Sequence, residues 1–405
     1  MNKRISRRQF LAAAGLTAAA VALTACGGSG SSASTAASTT AAASGDATIT
    51  IGVLAPLSGD ASVYGNAVAN GAMLYLNKVN NEGGINGKQL NIIKLDEKGD
   101  ASEAVTCFNR MLDEGIIALI GDVTTTPTEA VVAESQEYNM PMVTASATAE
   151  AVTYDAETDT VYTNVFRSTF IDPFQGIKMA DYAIQKMGVK TAAVLYMTGN
   201  DYSEGLYENF VSEFESLGGT VVDVEAYAKG DVDFNAQLTS IASSNPEVVW
   251  CPNYYEDDGK ILTQARAQGI SVPFIGGDGW DGVKDYASAA DLAGSFFCAN
   301  YATGASEEFE SAYQAEYGEA YPNGFAPLGY DAAITMCVGL QAAEDAGLDS
   351  VADPDAYKQA VIDAIKGATV EGVTGTFTFD EHNNPVKTAS IITFEDGVPT
   401  LVEQF

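Results

Sequence analysis

The chain predicts an α/β protein of two lobes, each built on a parallel sheet with helices on both faces. From Thr48 onward, short continuously apolar runs alternate with amphipathic helical patterns, as expected of parallel strands buried on both sides. The alternation falls into two separate series, and 405 residues exceed one typical domain.

In the first series, residues 48–54 form a strand, residues 64–79 a helix and residues 89–95 a strand. The glycine-rich turn Gly83-Gly84-Ile85-Asn86-Gly87-Lys88 joins that helix to that strand. A helix over 102–113, a strand over 116–120, a helix from Thr128 and a strand over 141–144 follow. The second series runs strand 192–197, helix 203–217, strand 220–226, helix 234–243, strand 247–250, helix 257–268 and strand 272–275. Beyond it come a strand over 295–301 and helices over 306–317, 327–346 and 353–366. Asp353 caps the last helix and Pro354 is its first residue. Strands over 375–379 and 390–394 close the chain. The helices after the second series imply a return of the chain to the first lobe.

The first 25 residues form an export signal. Ser6-Arg7-Arg8-Gln9-Phe10-Leu11 is a twin-arginine motif, and the apolar run Leu11 to Ala25 is too short to remain as a bilayer span. It ends in Leu23-Thr24-Ala25-Cys26, which resembles a lipoprotein processing site and implies lipid on the Cys26 sulfur. Residues 27–47 are almost all Gly, Ser, Ala and Thr, a composition that predicts a flexible stalk. The expected location is therefore extracytoplasmic, lipid-anchored to the cell membrane.

Removing the signal takes away four bases and no acid. Sixteen bases then face 54 acids, and the formal charge moves from -34 to -38. Such a surface repels phosphate backbones, which argues against nucleic-acid binding. Cys107, Cys251, Cys298 and Cys337 show no metal or disulfide spacing and are expected to be small apolar residues.

Ligands of open parallel sheets bind beyond the carboxyl ends of the strands. In the first series that rule selects Gly121-Asp122-Val123-Thr124-Thr125-Thr126-Pro127-Thr128 and Ala145-Ser146-Ala147-Thr148-Ala149. Hydroxyls and free N–H groups at a helix start suit an anion. In the second series it selects Asn200-Asp201-Tyr202, Asn253-Tyr254-Tyr255 and Gly276-Gly277-Asp278-Gly279-Trp280. One lobe thus offers donors for an anion, the other an acid for a cation with rings for an apolar group. Those parts suit a free amino acid.

The arrangement resembles the branched-chain amino-acid binding proteins of ABC importers, which have the type I periplasmic binding fold. The likeness covers residues 49 to about 395. It rests on the Gly-Gly-Ile-Asn-Gly-Lys turn, the Ser-Ala-Thr-Ala loop, Tyr202-Ser-Glu-Gly-Leu206, Gln264-Ala-Arg-Ala-Gln-Gly269 and Gly-Gly-Asp-Gly. The resemblance implies that Thr125 and the loop Ser146, Ala147 and Thr148 bind an α-carboxylate, and that Asp278 binds an α-ammonium. It implies that Tyr64, Tyr202 and Tyr254 line the pocket, with Phe325 and Trp280 as further contacts. Two Rossmann-like lobes, 48–168 plus 301–372 and 169–300 plus 373–405, would close about a three-segment hinge near Ser168, Tyr301 and Gly372.

The resemblance has departures: family members carry Glu at the position of Asp278 and a first-lobe disulfide that this chain lacks. It implies a monomer that delivers solute to a membrane permease, with no cofactor. A sensor that reports an amino acid, amide or short-chain acid to a membrane receptor would have the same site. No enzyme is expected. The only histidine, His382, lies in the polar turn Asp380-Glu381-His382-Asn383-Asn384-Pro385, and no nucleophile elbow or metal-spaced histidine pair occurs. Asp231-Val-Asp233-Phe-Asn235 begins like a calcium loop, but Ala236 and Ala242 replace the required glycine and glutamate, so no metal is expected.

Overall fold

A computed structural model describes residues 48–405. The twin-arginine signal, Cys26 and the stalk lie outside the described residues. The first sheet has five parallel strands in the order Gln89–Asp96, Thr48–Ala55, Ala118–Ile120, Met142–Thr144, Val165–Arg167. The second has seven, in the order Val398–Gln404, Ser390–Glu395, Phe296–Ala299, Phe274–Gly276, Val248–Trp250, Thr191–Thr198, Thr220–Ala228. Its last five are parallel to one another, and the two C-terminal strands add antiparallel at one edge.

The central strands of both sheets are buried on both faces, which explains their apolar runs. Neighbouring residues of one strand feed opposite faces. Val53 packs with Val68 and Leu76, whereas Leu54 packs with Phe108, Met111 and Val131. In the second sheet, Ala193 and Leu195 meet Leu238 and Ile261, while Val194 and Trp250 meet Phe210 and Phe214.

The helix Ser62–Asn81 lies against the helix Phe325–Asp345 on the first sheet. Their approach is close enough that glycine is required at the crossing. A Cβ at Gly71 would stand 1.8 Å from the Ala326 carbonyl oxygen, and one at Gly329 2.2 Å from that of Val68. Gly71→Ala is therefore expected to force the helices apart and destabilise the fold by about 1–3 kcal/mol, read as a lowered midpoint in chemical denaturation. An unchanged midpoint would show that the crossing has slack.

The chain passes between the sheets three times: after Arg167, after Ala299, and between Pro385 and Ser390. The third crossing corrects the expected boundary near Gly372. The hairpin Val370–Gly372 with Gly375–Phe377 packs on the first-lobe helix Phe325–Asp345, and the turn after it reaches the first sheet. Phe379 meets Phe166 edge-on with ring centroids 5.2 Å apart, and Asn383 Nδ2 donates to the Val165 carbonyl at 3.0 Å. The crossing strands are tied together, with Lys387 Nζ donating to the Ser168 carbonyl (2.6 Å) and Asn300 Nδ2 to Thr169 Oγ1 (2.9 Å).

Elements not read from the sequence include the strand Val165–Arg167, the helix Asp172–Tyr182 and the edge strand Val398–Gln404. Cys251, Cys298 and Cys337 are buried free thiols, and Cys107 is half-buried. Among the described residues, no helix is long and apolar enough to cross a membrane.

Candidate functional site

In each sheet the chain first steps to one side of its opening strand, then to the other. The crevice at such a switch point lies beyond the strands' carboxyl ends. In the first sheet that point is flanked by the residues after Ala55 and Ile120, and in the second by those after Thr198 and Trp250. The two crevices face each other across a narrow cavity. It is lined by Tyr64, Val123, Thr124, Thr125, Ser146, Thr148, Tyr202, Tyr254, Asp278 and Phe325. Eight of the ten site residues expected from the sequence thus come together. Tyr254 and Thr124 also border the wider outer cleft, so they stand at the mouth.

The first lobe supplies hydrogen-bond donors. The helix Thr125–Tyr138 begins three residues earlier than expected, which places Thr125 in its first turn. Its N-cap, Thr124, makes no side-chain capping bond, so the first-turn N–H groups are open to an anion. Ser146 Oγ donates to the Val123 carbonyl at 2.7 Å and locks the two loops together. Arg167, fully buried, holds the second loop from beneath. Its Nη1 donates to the carbonyls of Ala147 and Ala149, both at 2.9 Å, and its Nη2 to Thr153 Oγ1 at 2.8 Å. Burial brings the guanidinium pKa down to about 10, which leaves it cationic at neutral pH.

The second lobe supplies the acid. Asp278 is 4% exposed. Its Oδ1 accepts from the Tyr202 hydroxyl at 3.0 Å and from Gln175 Nε2 at 3.1 Å, and Oδ2 has no protein partner among the described residues. Gln175 Oε1 accepts from the Asp278 backbone N–H at 2.9 Å, and the Tyr202 oxygen from the Gly279 N–H at 2.8 Å. Burial raises the Asp278 carboxyl to about 6, against the opposing pull of Tyr202 and Gln175.

Aromatic rings form the remaining wall. Tyr64 stacks on Phe325 at 4.2 Å between centroids, and Tyr202 on Tyr254 at 5.0 Å. Tyr64 also joins the lobes: its hydroxyl donates to the Gly279 carbonyl and accepts from the Tyr255 N–H at 3.2 Å. Tyr255 donates to the Asp60 carbonyl, Thr126 to Asp201 Oδ2 and the Gly324 N–H to Asp281 Oδ2. The lobes are closed on one another, and one apolar core runs through Tyr64 and Tyr255 from lobe to lobe.

Two expected contacts are corrected. Trp280 is fully buried beside Gly276, and its Nε1 donates to the Cys251 carbonyl at 2.7 Å, so it braces the loop from behind and does not line the cavity. The Ala147 side chain points into the first-lobe core with Phe108 and Val131, and its N–H is bonded to Thr144 Oγ1 at 3.2 Å. Conversely, Val123 and Thr124 line the cavity and were not singled out, although they sit in the hydroxyl-rich loop that was. Gln175 carried no signal, because its helix was unread.

A family model described as periplasmic binding protein matches residues 48–397. The chain is 30% identical to the Leu/Ile/Val-binding protein homolog 3 of Brucella melitensis, over 83% of this chain and 88% of that one. Among solved structures, it is 30% identical to the branched-chain amino acid transporter substrate binding protein LivJ of Streptococcus pneumoniae in complex with isoleucine. That match has a TM-score of 0.78 and covers 88% of this chain and all of the other. The leucine binding protein LivK of Thermotoga maritima matches with 28% identity and a TM-score of 0.78, over 88% of this chain and 98% of that one. With nearly the whole described chain matched and both lobes superposing, the chain belongs to the periplasmic binding protein family, whose members bind solutes and are not enzymes.

Proposed function

We propose that this protein captures an amino acid, of the branched-chain type or similar, outside the cell membrane and delivers it to an ABC permease. The observation that carries this reading is the placement of Asp278 opposite an uncapped helix start in one cavity. An α-carboxylate would take the first-turn N–H groups with Thr125 and Thr148, on loops that Ser146 holds together, and an α-ammonium would take Asp278 Oδ2. Tyr64, Tyr202, Tyr254 and Phe325 would enclose the side chain. The relatives' names point to the same class.

The first lobe would comprise residues 48–168 and 301–386, the second 169–300 and 387–405, with closure about Ser168, Asn300 and Lys387. Solute docks on the donor loops, and closure then brings Asp278 and Tyr202 over it. The closed surface is what the permease would meet. We further propose that the protein acts as a monomer held at the membrane by lipid on Cys26.

A thermal-shift panel of the 20 standard amino acids tests the reading. A binding solute at a hundred times its dissociation constant adds about 2.7 kcal/mol, and so raises the melting temperature visibly. Flat melting curves across the panel would reject it.

A further inference from the structure

The donor loop of the first lobe rests on a pair of buried acids that the proposed contacts leave unused. Glu97 follows the strand Gln89–Asp96, and Asp122 follows the strand Ala118–Ile120. Those strands flank Thr48–Ala55 on either side, and the two side chains meet across its carboxyl end. Both residues are 0% exposed. One oxygen of each has a donor: Glu97 Oε2 accepts from the Asp100 N–H at 3.0 Å, and Asp122 Oδ1 from the Val123 N–H at 2.6 Å. The other two, Glu97 Oε1 and Asp122 Oδ2, are buried and have no donor among the described residues.

Two ionised carboxylates do not rest against each other out of water without a counter-charge. Neither acid has an ion pair among the described residues. Of the nearby bases, Lys98 pairs with Glu103 at 3.6 Å and Arg110 with Glu114 at 3.0 Å. The other groups that face the pair are the carboxyls of Asp96 and Asp100 beside Glu97, and the Cys107 thiol near both. No group of three or more metal-ligating side chains occurs among the described residues. Burial raises both carboxyls, and the charge of Glu97 raises Asp122 further. A single proton between the two orphaned oxygens resolves the conflict, because it makes one acid a donor and leaves the other an acceptor. The pair also connects to the cavity. The Asp122 carbonyl accepts from Thr144 Oγ1 at 2.6 Å, and Val123 and Thr124, next in the chain, line the cavity.

We propose that Glu97 and Asp122 share one proton, and that the resulting O–H···O bond clamps the donor loop in position for the solute. The proton is taken from water as the chain folds and the two acids leave solvent; no other bond forms or breaks. Neither acid lines the cavity, so both are positioning residues that act through Val123 and Thr124. The proton does not depend on what the cavity holds, whereas its effect on affinity rests on the amino-acid reading. Asp122→Asn reproduces the protonated acid: its Nδ2 can donate to Glu97 Oε1 while its Oδ1 keeps the Val123 N–H.

Chemical denaturation of the mature chain without solute, at pH 7 and pH 9, tests the proton. A carboxyl whose pKa is raised in the folded state contributes stability that is lost as pH rises. The folding equilibrium constant of wild type should therefore fall by about tenfold more per pH unit than that of Asp122→Asn, the signature of one proton. Equal slopes in the two would overturn the shared proton. Calorimetry with leucine at pH 7.5 tests the clamp. Asp122→Ala leaves Glu97 Oε1 and the Val123 N–H unpartnered and should bind at least about tenfold more weakly than wild type. Asp122→Asn should recover most of that loss. An alanine variant that binds like wild type, or an asparagine variant as weak as alanine, would overturn the clamp. An alanine variant that fails to fold beside a folded asparagine variant supports it. If wild type binds no amino acid, the amino-acid reading falls and the clamp's effect on affinity with it, while the pH slopes still decide the proton.

Discussion

Replacing Asp278 with alanine is expected to weaken amino-acid binding by about ten- to a hundredfold or more. A hydrogen bond to a charged group contributes about 1.5–3 kcal/mol, and each 1.4 kcal/mol is a factor of about ten in affinity. Loss of the acid also leaves the Tyr202 hydroxyl and Gln175 Nε2 without their acceptor. Thr125→Ala should cost less, because the backbone N–H groups at the helix start would still hold a carboxylate. The same acid sets a pH dependence. Its carboxyl is raised to about 6 by burial, and a proton competes with the ligand's ammonium for it. Affinity should therefore be full above that value and fall as pH drops below it, by up to about tenfold per unit. Calorimetry at pH 5 and 7.5 reads both effects. A variant that binds like wild type, or keeps the acid-side loss, would remove Asp278 from the site.

The second large effect lies beneath the other lobe's loop. Arg167→Met is expected to destabilise the protein by on the order of 3–5 kcal/mol. The methionine fills part of the volume, but the carbonyls of Ala147 and Ala149 and the Thr153 hydroxyl all lose their donor. Each buried polar group left unpaired costs about 1–3 kcal/mol, and loss of a buried charge from its partners falls in the same range. Those carbonyls flank Thr148, so residual folded protein should also bind solute more weakly. Chemical denaturation followed by circular dichroism checks the first claim. A midpoint equal to that of the parent would mean that the loop is held by other contacts.

The two sheets and most cavity residues were legible because both rest on local chemistry. Strands such as Thr48–Ala55 and Thr191–Thr198 are buried on both faces, so their apolar runs are continuous. The site loops follow strand ends, and Thr125, Ser146, Tyr202 and Asp278 stand there with hydroxyls, rings or an acid. Side-chain direction was not legible. Trp280 and Ala147 occupy the right loops yet turn away, because Trp280 finds the Cys251 carbonyl and Ala147 a core of Phe108 and Val131. Short elements escaped for another reason. Three residues, Val165–Arg167, hold no period, and their place as a strand comes from pairing with Met142–Thr144. The third crossing was misplaced for a related cause: the glycines at 372 and 375 suggest a break, but they form a tight hairpin that stays with the first lobe, on the helix Phe325–Asp345.

The bonds that Tyr64 makes to Gly279 and Tyr255 join protein to protein, as does that from Tyr255 to Asp60. They contribute to the closed state whichever solute is enclosed. Grip and choice are therefore separate controls in this molecule. A change at Tyr255, which does not line the inner cavity, shifts the open–closed balance and rescales every solute's retention by one common factor. The ranking among solutes stays with the cavity wall. One ancestral site could in this way be retuned from scarce to abundant nutrients without relearning which nutrient to hold.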